Sequence, residues 1–520
     1  MRKKLVNMTQ DKLLVIDANQ DAKNVAKLKA EIKKLEQTEK EKAAQKDEIY
    51  SNTFEWRFEF PQVLDDQGNF TGFDVVIGNP PYIRQEEIKE QKIFLQQTYQ
   101  CYTGVADLFV YFYELGLNLL KPNGHLTYIS SNKYFRAGYG EKLRQFLTDS
   151  SIIHNLIDFG DYPVFDEAIA YPSIITLSKA KSNNNQVKAL SWDETKKQDI
   201  AQFPIVLEQE GLIISQENLK SDGWRLESSQ NFDLLAKLRN AGKPLGEYVN
   251  GRFYRGILTG FNEAFVIDLA TRDRLINEHS SSAEVIKPFL RGRDVKRWNV
   301  DFADQYLIKI ESSENKKHPW SELTEKEAEK IFNQTYPAIY KYFSQFRESL
   351  VKRCDQGRFF WELRSCIYWQ EFEQPKIIYP DIYEHQSFAI DTLGYYAGNT
   401  CYFIPTDETW LCGLLNTQLI EWFYAMITNS IRGGYLRAFS DYMKQIPIPN
   451  VIKSQRTAIE KLVQKCLTAK KGDRHADTSG LEKECDLLVY KLYQLTYDEV
   501  KIIDLEFELT EQEYTAIKIE

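Results

Sequence analysis

Hydrophobic and polar positions change period several times along the chain, and each change marks an expected element. From about residue 20 to 50 the chain is rich in Lys, Glu, Ala and Gln, while Val25, Leu28, Ile32 and Leu35 recur at helical spacing. That pattern predicts one long, solvated polar helix. Phe54, Trp56, Phe58 and Phe60 then alternate strictly, which predicts a strand with one buried face. Asp65-Asp66-Gln67-Gly68-Asn69 predicts a turn, and Phe73-Asp74-Val75-Val76-Ile77-Gly78 a short apolar strand. The strand must stop at Asn79-Pro80-Pro81, because proline has no N–H to give to a ladder.

Helical spacing returns from Asp107 to Leu120 and ends at Lys121-Pro122-Asn123-Gly124. A strand is expected over His125 to Ser130, a helix over Gly140 to Ser150, and strands over Ile152 to Phe159 and Ser173 to Ser178. Strands alternating with helices argue for an α/β sheet. The polar run Lys181-Ser182-Asn183-Asn184-Asn185-Gln186 suggests a domain boundary. Beyond it, short strand-like runs and aromatic turns continue to Pro447-Ile448-Pro449, and helical pattern resumes over Ala458 to Leu467 and Leu481 to Leu495. Four segments are expected: a polar helical leader (1–50), an α/β segment (51–185), a mixed segment (186–450) and C-terminal helices (451–520).

Composition narrows the class. A chain of 520 residues with 43% hydrophobic content can bury a sizeable core and more than one domain. The formal net charge of -9 excludes a uniformly basic surface, so any nucleic-acid contact must use local basic patches. The seven Cys and six His form no CxxC pair and no HExxH; the thiols read as free in a reducing cytosol, with no metal site. No apolar run has the length of a membrane span, so a cytoplasmic protein is expected.

Asn79-Pro80-Pro81-Tyr82 carries the candidate chemistry, at the carboxyl end of an apolar strand where open α/β sheets bind ligands. An exocyclic amine on a base is a poor nucleophile because its lone pair is delocalised into the ring. Two acceptors that hold its protons favour a more pyramidal nitrogen. An Asn side-chain oxygen and a neighbouring backbone carbonyl supply them, and the fixed φ of Pro80 helps hold that carbonyl. A base must leave the duplex to reach such a site, and an aromatic face such as Tyr82 can hold it there. The plain alternative is a Pro-Pro turn with a Tyr packed on it.

The surrounding stretch, Gly72-Phe73-Asp74-Val75-Val76-Ile77-Gly78-Asn79-Pro80-Pro81-Tyr82-Ile83-Arg84, resembles the catalytic motif of gamma-class adenine-N6 DNA methyltransferases, above all those of type IIG restriction–modification enzymes. The resemblance continues through Ala106-Asp107-Leu108, Leu119-Leu120-Lys121-Pro122-Asn123-Gly124 and Ile157-Asp158-Phe159-Gly160. It implies that Asn79 and the Pro80 carbonyl contact the target amine and that Tyr82 stacks on a flipped adenine. Phe165, in Val164-Phe165-Asp166-Glu167-Ala168, matches the aromatic that closes over the base, with a core Phe as the alternative. Phe112 stands where the family places an aromatic near the cofactor, and core packing is its alternative.

The same family needs a Gly-rich loop for S-adenosylmethionine, normally upstream of the Asn-Pro-Pro-Tyr loop. Only the polar helix and one strand are expected there. Gly138-Tyr139-Gly140 comes later and lacks a strand-to-helix setting, and Gly292 within Arg291-Gly292-Arg293-Asp294 is no better. The cofactor site is therefore expected to be incomplete in this chain, as in a truncated enzyme or one subunit of a split enzyme.

Residues from about 205 to 450 resemble the target-recognition region of the family. The match runs through Gly256-Ile257-Leu258-Thr259-Gly260-Phe261-Asn262-Glu263-Ala264-Phe265 and Ile286-Lys287-Pro288-Phe289-Leu290-Arg291-Gly292, then Leu415-Asn416-Thr417 and Ile446-Pro447-Ile448-Pro449. Two basic–aromatic groups lie inside it: Arg291, Arg293, Lys296 and Arg297 beside Trp298, and Arg432, Gly433, Gly434, Tyr435 and Arg437. They read either as DNA-facing, with phosphate contacts, or as ordinary solvated charge.

The fold class expected is α/β, a partial Rossmann-like methyltransferase sheet followed by a mixed α/β target-recognition domain and C-terminal helices. The function expected is site-specific DNA adenine-N6 methylation with double-stranded DNA as partner. The alternative is a catalytically inactive DNA-binding remnant or specificity subunit that needs a partner chain carrying the cofactor loop. An RNA or protein methyltransferase using the same acceptor loop is a third reading, disfavoured by the target-recognition resemblance.

Overall fold

Trp56 and Phe60 stand one helical turn apart, and the chain there coils instead of extending. Helix α1 (Trp56–Glu59) replaces the strand expected from the alternating aromatics. The Trp56 and Phe60 rings stack with centroids 5.8 Å apart. Both meet Phe73 edge-on, at 5.6 and 5.4 Å. Residues that alternate also contain an i, i+4 pair, and a helical turn brings that pair onto one face. Packing on Phe73 selects the helical solution.

The computed structural model describes residues 27, 29–34, 37, 54, 56–160, 162–165, 171–192, 200–428, 430–431 and 435–519. Residues 29–34 are helical, and Ile32 is half-buried; the rest of the polar helix expected over 20–50 lies largely outside the described residues. The chain divides into two compact units, Met1–Ile77 with Leu115–Leu126, and Gly78–Glu114 with Thr127–Glu520.

In the smaller unit, strand β1 (Phe73–Gly78) neighbours the first half of β2 (Leu120–Ser131). Glycine permits the close approach. At Gly72, which has φ +96°, an added Cβ would lie 2.7 Å from the Lys121 backbone nitrogen, and at Gly124 one would lie 2.9 Å from the Phe73 carbonyl. Lys121 also pairs with Asp74 at 2.9 Å, an exposed contact worth at most about 1 kcal/mol. The expected turn forms, with Asp65 accepting from the backbone of Gln67 and Asn69 at 2.9 and 2.8 Å.

In the larger unit, helix α2 (Lys92–Thr98) and the first part of α3 (Phe109–Leu119), up to Glu114, follow the Asn79–Tyr82 loop. The second half of β2 lies beside β4 (Pro172–Ser178), followed across the sheet by β3 (Ile152–Asp158), β5 (Gln186–Ser191) and β6 (Leu212–Ser215). β3 runs antiparallel to β4 and parallel to β5. Helix α4 (Glu141–Ser150) leads into β3. The sheet therefore continues past the polar break at Lys181–Gln186 and takes in two further strands.

From about residue 254 onward short strands build two small sheets. One has the order Tyr396–Ala397, Ile286–Leu290, Gln305–Ile308, Val266–Asp268, and the other Ala389–Asp391, Lys376–Pro380, Cys401–Pro405, Tyr254–Arg255. Phe265, Phe289, Trp320, Phe332, Trp361 and Phe403 belong to one buried cluster there. A second cluster joins Trp410 and Phe423 to Leu462, Val489 and Tyr490. It packs α5 (Gln418–Ile427) with the C-terminal helices α6 (Lys453–Gly472) and α7 (Ser479–Leu492). The chain is mixed α/β, as expected. Among the described residues no helix is long and apolar enough to cross a membrane.

Candidate active site

The Asn79–Tyr82 loop leaves the end of β1 without regular structure, and its burial alternates: Asn79 is exposed, Pro80 is buried, Pro81 is half-buried and Tyr82 is 39% exposed. A buried Pro80 is anchored, while the two flanking polar groups stay open to an incoming molecule. Burial of part of the Tyr82 ring pushes its phenol above the ordinary range, so it is neutral near pH 7.

The turn before α3 holds the far end of the loop. The Leu108 N–H donates to the Ile83 carbonyl at 3.0 Å, and the Gln85 N–H donates to Asp107 Oδ1 at 3.1 Å. Lys92 Nζ donates to Gln85 Oε1 at 2.6 Å and to the Gly104 carbonyl at 2.7 Å. Each such bond contributes about 1 kcal/mol net; together they limit the conformations open to the loop. Within α3, Glu114 accepts from the backbone of Gln100 and Cys101 at 3.1 and 2.9 Å.

Aromatic residues stand behind the loop. A Cβ added at Gly78 would lie 3.5 Å from the Tyr128 ring, in ordinary contact. Tyr128 meets Tyr113 edge-on at 5.3 Å, and Tyr113 Oη shares a 2.7 Å hydrogen bond with Ser130 Oγ. Burial pushes the Tyr128 phenol up to about 12 and that of Tyr113 higher still, so this wall carries no charge. Sequence reasoning did not single out Tyr113 or Tyr128, because buried aromatics at helix and strand spacing carry no signal beyond core packing.

At the end of β3, Asp158 Oδ1 accepts from Asn132 Nδ2 at 2.7 Å and from the Gly160 N–H at 2.9 Å, tying the ends of β2 and β3 together. Phe165 follows in a bend and is half-buried, and residues 166–170 lie outside the described residues. Phe112, on α3, is half-buried between the buried Tyr111 and Tyr113.

The glycines nearest the loop serve packing. Gly72 is filled by the backbone of Leu119 to Lys121, and Gly78 faces Tyr128. Gly138 and Gly140 do lie between β2 and α4, contrary to the expected lack of a strand-to-helix setting, but a Cβ at Gly140 would meet the Tyr134 carbonyl at 2.4 Å. Gly138 itself opens on free space, but with Gly72 and Gly140 closed by backbone these glycines do not line up as a cradle for S-adenosylmethionine among the described residues.

The basic groups separate by role. Arg291 makes a two-pronged pair with Asp294, both bonds 2.9 Å. Arg297 donates to Glu482 at 2.8 Å and to the Asn416 carbonyl, while the Trp298 indole donates to the other Glu482 oxygen at 2.8 Å. Arg297 is thus committed to holding α7, which departs from the DNA-facing role expected for it. Arg293 and Lys296 are exposed and line a cleft of about 490 Å³. Arg437 lies over the Phe439 ring at 4.8 Å and approaches Asp381 at 3.5 Å, and Tyr435 is 41% exposed. Arg432, Gly433 and Gly434 lie outside the described residues.

Two family models match the chain: an Eco57I restriction-modification methylase over residues 3–165, and a TaqI-like C-terminal specificity domain over residues 287–448. The Type II methyltransferase M.BstVI of Geobacillus stearothermophilus is 24% identical, over 83% of this chain and 75% of its own length. M.PaeR7I of Pseudomonas aeruginosa is 23% identical, over 82% of this chain and 71% of its own length. The fold is similar to that of the Type IIL restriction-modification enzyme MmeI in complex with DNA, with a TM-score of 0.56, 14% identity, and coverage of 85% of this chain but 57% of that one. The chain thus resembles the Type II restriction–modification methyltransferases, pairing an Eco57I-type methylase region with a TaqI-like C-terminal specificity region.

Proposed function

We propose that this chain methylates the exocyclic N6 amine of adenine within a specific DNA sequence, acting in the cytoplasm on a base flipped out of the duplex. The observation that carries the reading is the Asn79–Tyr82 loop: Asn79 and Tyr82 exposed, Pro80 buried between them, and the far end tied to Asp107 and Leu108. The Asn79 side-chain oxygen and the Pro80 carbonyl accept the two amine protons and sharpen the nitrogen lone pair. Tyr82 stacks on the flipped ring, and Phe165 closes on it from the edge. Target recognition belongs to the segment from about residue 186 to 450, which contains the specificity-domain match.

The methyltransferase relatives imply S-adenosylmethionine as the methyl source. Backbone atoms close off Gly72 and Gly140, Gly78 faces the Tyr128 ring and Gly138 opens on free space, so these glycines do not line up as a cradle for that group among the described residues. The same observation favours a second reading, in which a partner chain completes the cofactor site and this chain supplies base capture and DNA specificity. Two measurements test the pair of readings. The first is calorimetry with S-adenosylmethionine on the purified chain. The second is mass spectrometry of N6-methyladenine in treated DNA, with Asn79→Ala as control. Saturable binding with Asn79-dependent methylation supports the first reading. No binding, with methylation restored only by a second chain, supports the second. Methylation that survives Asn79→Ala overturns both.

A further inference from the structure

The cleft of about 490 Å³ beside Arg293 is large enough to take the edge of a base pair, falling within the roughly 300–1,000 Å³ of clefts that hold small ligands. Its lining includes Gly292, Arg293 and Lys296 from one stretch of chain and Glu384 and His385 from another. Both stretches are braced by their neighbours. Asp294 grips Arg291 through side chain and backbone, with bonds of 2.8 to 2.9 Å, and the Gly292 N–H donates to Thr400 Oγ1 at 2.9 Å. In the second stretch, Glu421 meets His385 Nδ1 at 2.9 Å and accepts from the Gln386 N–H at 3.1 Å.

This bracing leaves Arg293, Lys296 and Glu384 lining the same cleft. All three are exposed, and none forms a side-chain hydrogen bond or ion pair among the described residues. Opposite charges that share a cleft without pairing offer a ligand both donors and an acceptor. The major-groove edge of a G·C pair has the complementary pattern, with two acceptors on guanine and one amino donor on cytosine. The planar fork of Arg suits guanine O6 and N7, whereas Lys is a point charge suited to phosphate.

Resting on the reading of this chain as a site-specific DNA enzyme, we propose that Arg293 and Glu384 read one G·C pair of the recognition sequence, Arg293 on guanine and Glu384 on the cytosine amine, while Lys296 contacts a phosphate.

The test is selection from a randomised duplex pool on the purified full chain, with sequencing of the retained DNA. Wild type should enrich one motif. Arg293→Ala and Glu384→Ala should each relax the same single position by on the order of 10-fold or more and keep the others. Lys296→Ala should weaken retention of all sequences alike. A wild-type motif that neither Arg293→Ala nor Glu384→Ala alters, or that both weaken uniformly, overturns this inference and leaves the wider reading standing. A wild-type chain that retains no DNA, or shows no sequence preference, overturns both.

Discussion

The Gln85 backbone N–H is bound to the Asp107 carboxylate at 3.1 Å, and the next residue, Leu108, returns a backbone bond to Ile83 at 3.0 Å. The turn before α3 therefore fixes the far end of the Asn79–Tyr82 loop. Asp107→Ala removes the side-chain bond and leaves the backbone one. Stability should fall by about 1 kcal/mol. Methylation, measured as kcat at saturating DNA in the holoenzyme, should fall about 10-fold or more, since a displaced acceptor loses alignment. An unchanged kcat would show that the loop is held by other contacts.

Asn79 is exposed, so Asn79→Ala should not unfold the chain. Methylation should fall by at least about 100-fold, the scale of losing a positioned polar group in a transition state. DNA retention should stay within about two-fold. Loss of DNA retention along with methylation would instead assign Asn79 to general DNA contact.

Tyr82 offers a face, and its phenol is neutral. Tyr82→Phe should preserve activity, and Tyr82→Ala should weaken binding of the flipped base by about 1–3 kcal/mol, the range for base–aromatic stacking. Fluorescence of 2-aminopurine at the target position reads this directly. Equal signals from the Ala and Phe variants would remove stacking from the role of Tyr82.

Much of the α/β region was legible because its apolar runs are long enough to declare a period. The helix expected over 107–120 is Phe109–Leu119, and the strand expected over Ser173 to Ser178 is Pro172–Ser178. β2 begins at Leu120, earlier than expected, because Asn123 adopts φ +64° and Gly124 leaves room, so the Lys121–Gly124 segment bends within the strand instead of ending it. Misreadings arose where one pattern fits two structures. Alternating aromatics at 54–60 also contain the i, i+4 pair that α1 uses. Arg297 beside Trp298 looks like a nucleic-acid patch, yet Glu482, far along the chain, engages both side chains. No local window contains that partner.

Arg297 and Lys296 should therefore behave differently. Arg297→Ala leaves Glu482 without its cation in a half-buried place, and the chain should lose about 1–3 kcal/mol, below the figure for a fully buried pair. Well below its melting temperature, that variant should keep the wild-type salt dependence of DNA binding. Lys296→Ala should leave stability unchanged and lower the salt slope by about 1. Urea denaturation and binding isotherms at several salt concentrations separate the two. A reduced slope in Arg297→Ala would return it to the DNA surface.

Asp486 lies on α7 one turn beyond Glu482 and accepts from the Gln418 N–H at 2.8 Å. Burial pushes its carboxyl up to about 7, against about 3.9 for an unfolded Asp. Below about pH 4 the group is protonated in both states. Between about 4 and 7 the folded chain holds the proton that the unfolded chain has lost, so stability falls as pH rises, by up to about 1.4 kcal/mol per pH unit, and levels off above about 7. Asp486→Asn keeps an acceptor for Gln418 and removes the titration. Urea melts at about pH 5 and about pH 8 should show wild type losing more stability than the variant across that interval. Equal losses would mean that Asp486 titrates at the same pH folded and unfolded, and that water or Arg297 offsets the cost of its burial.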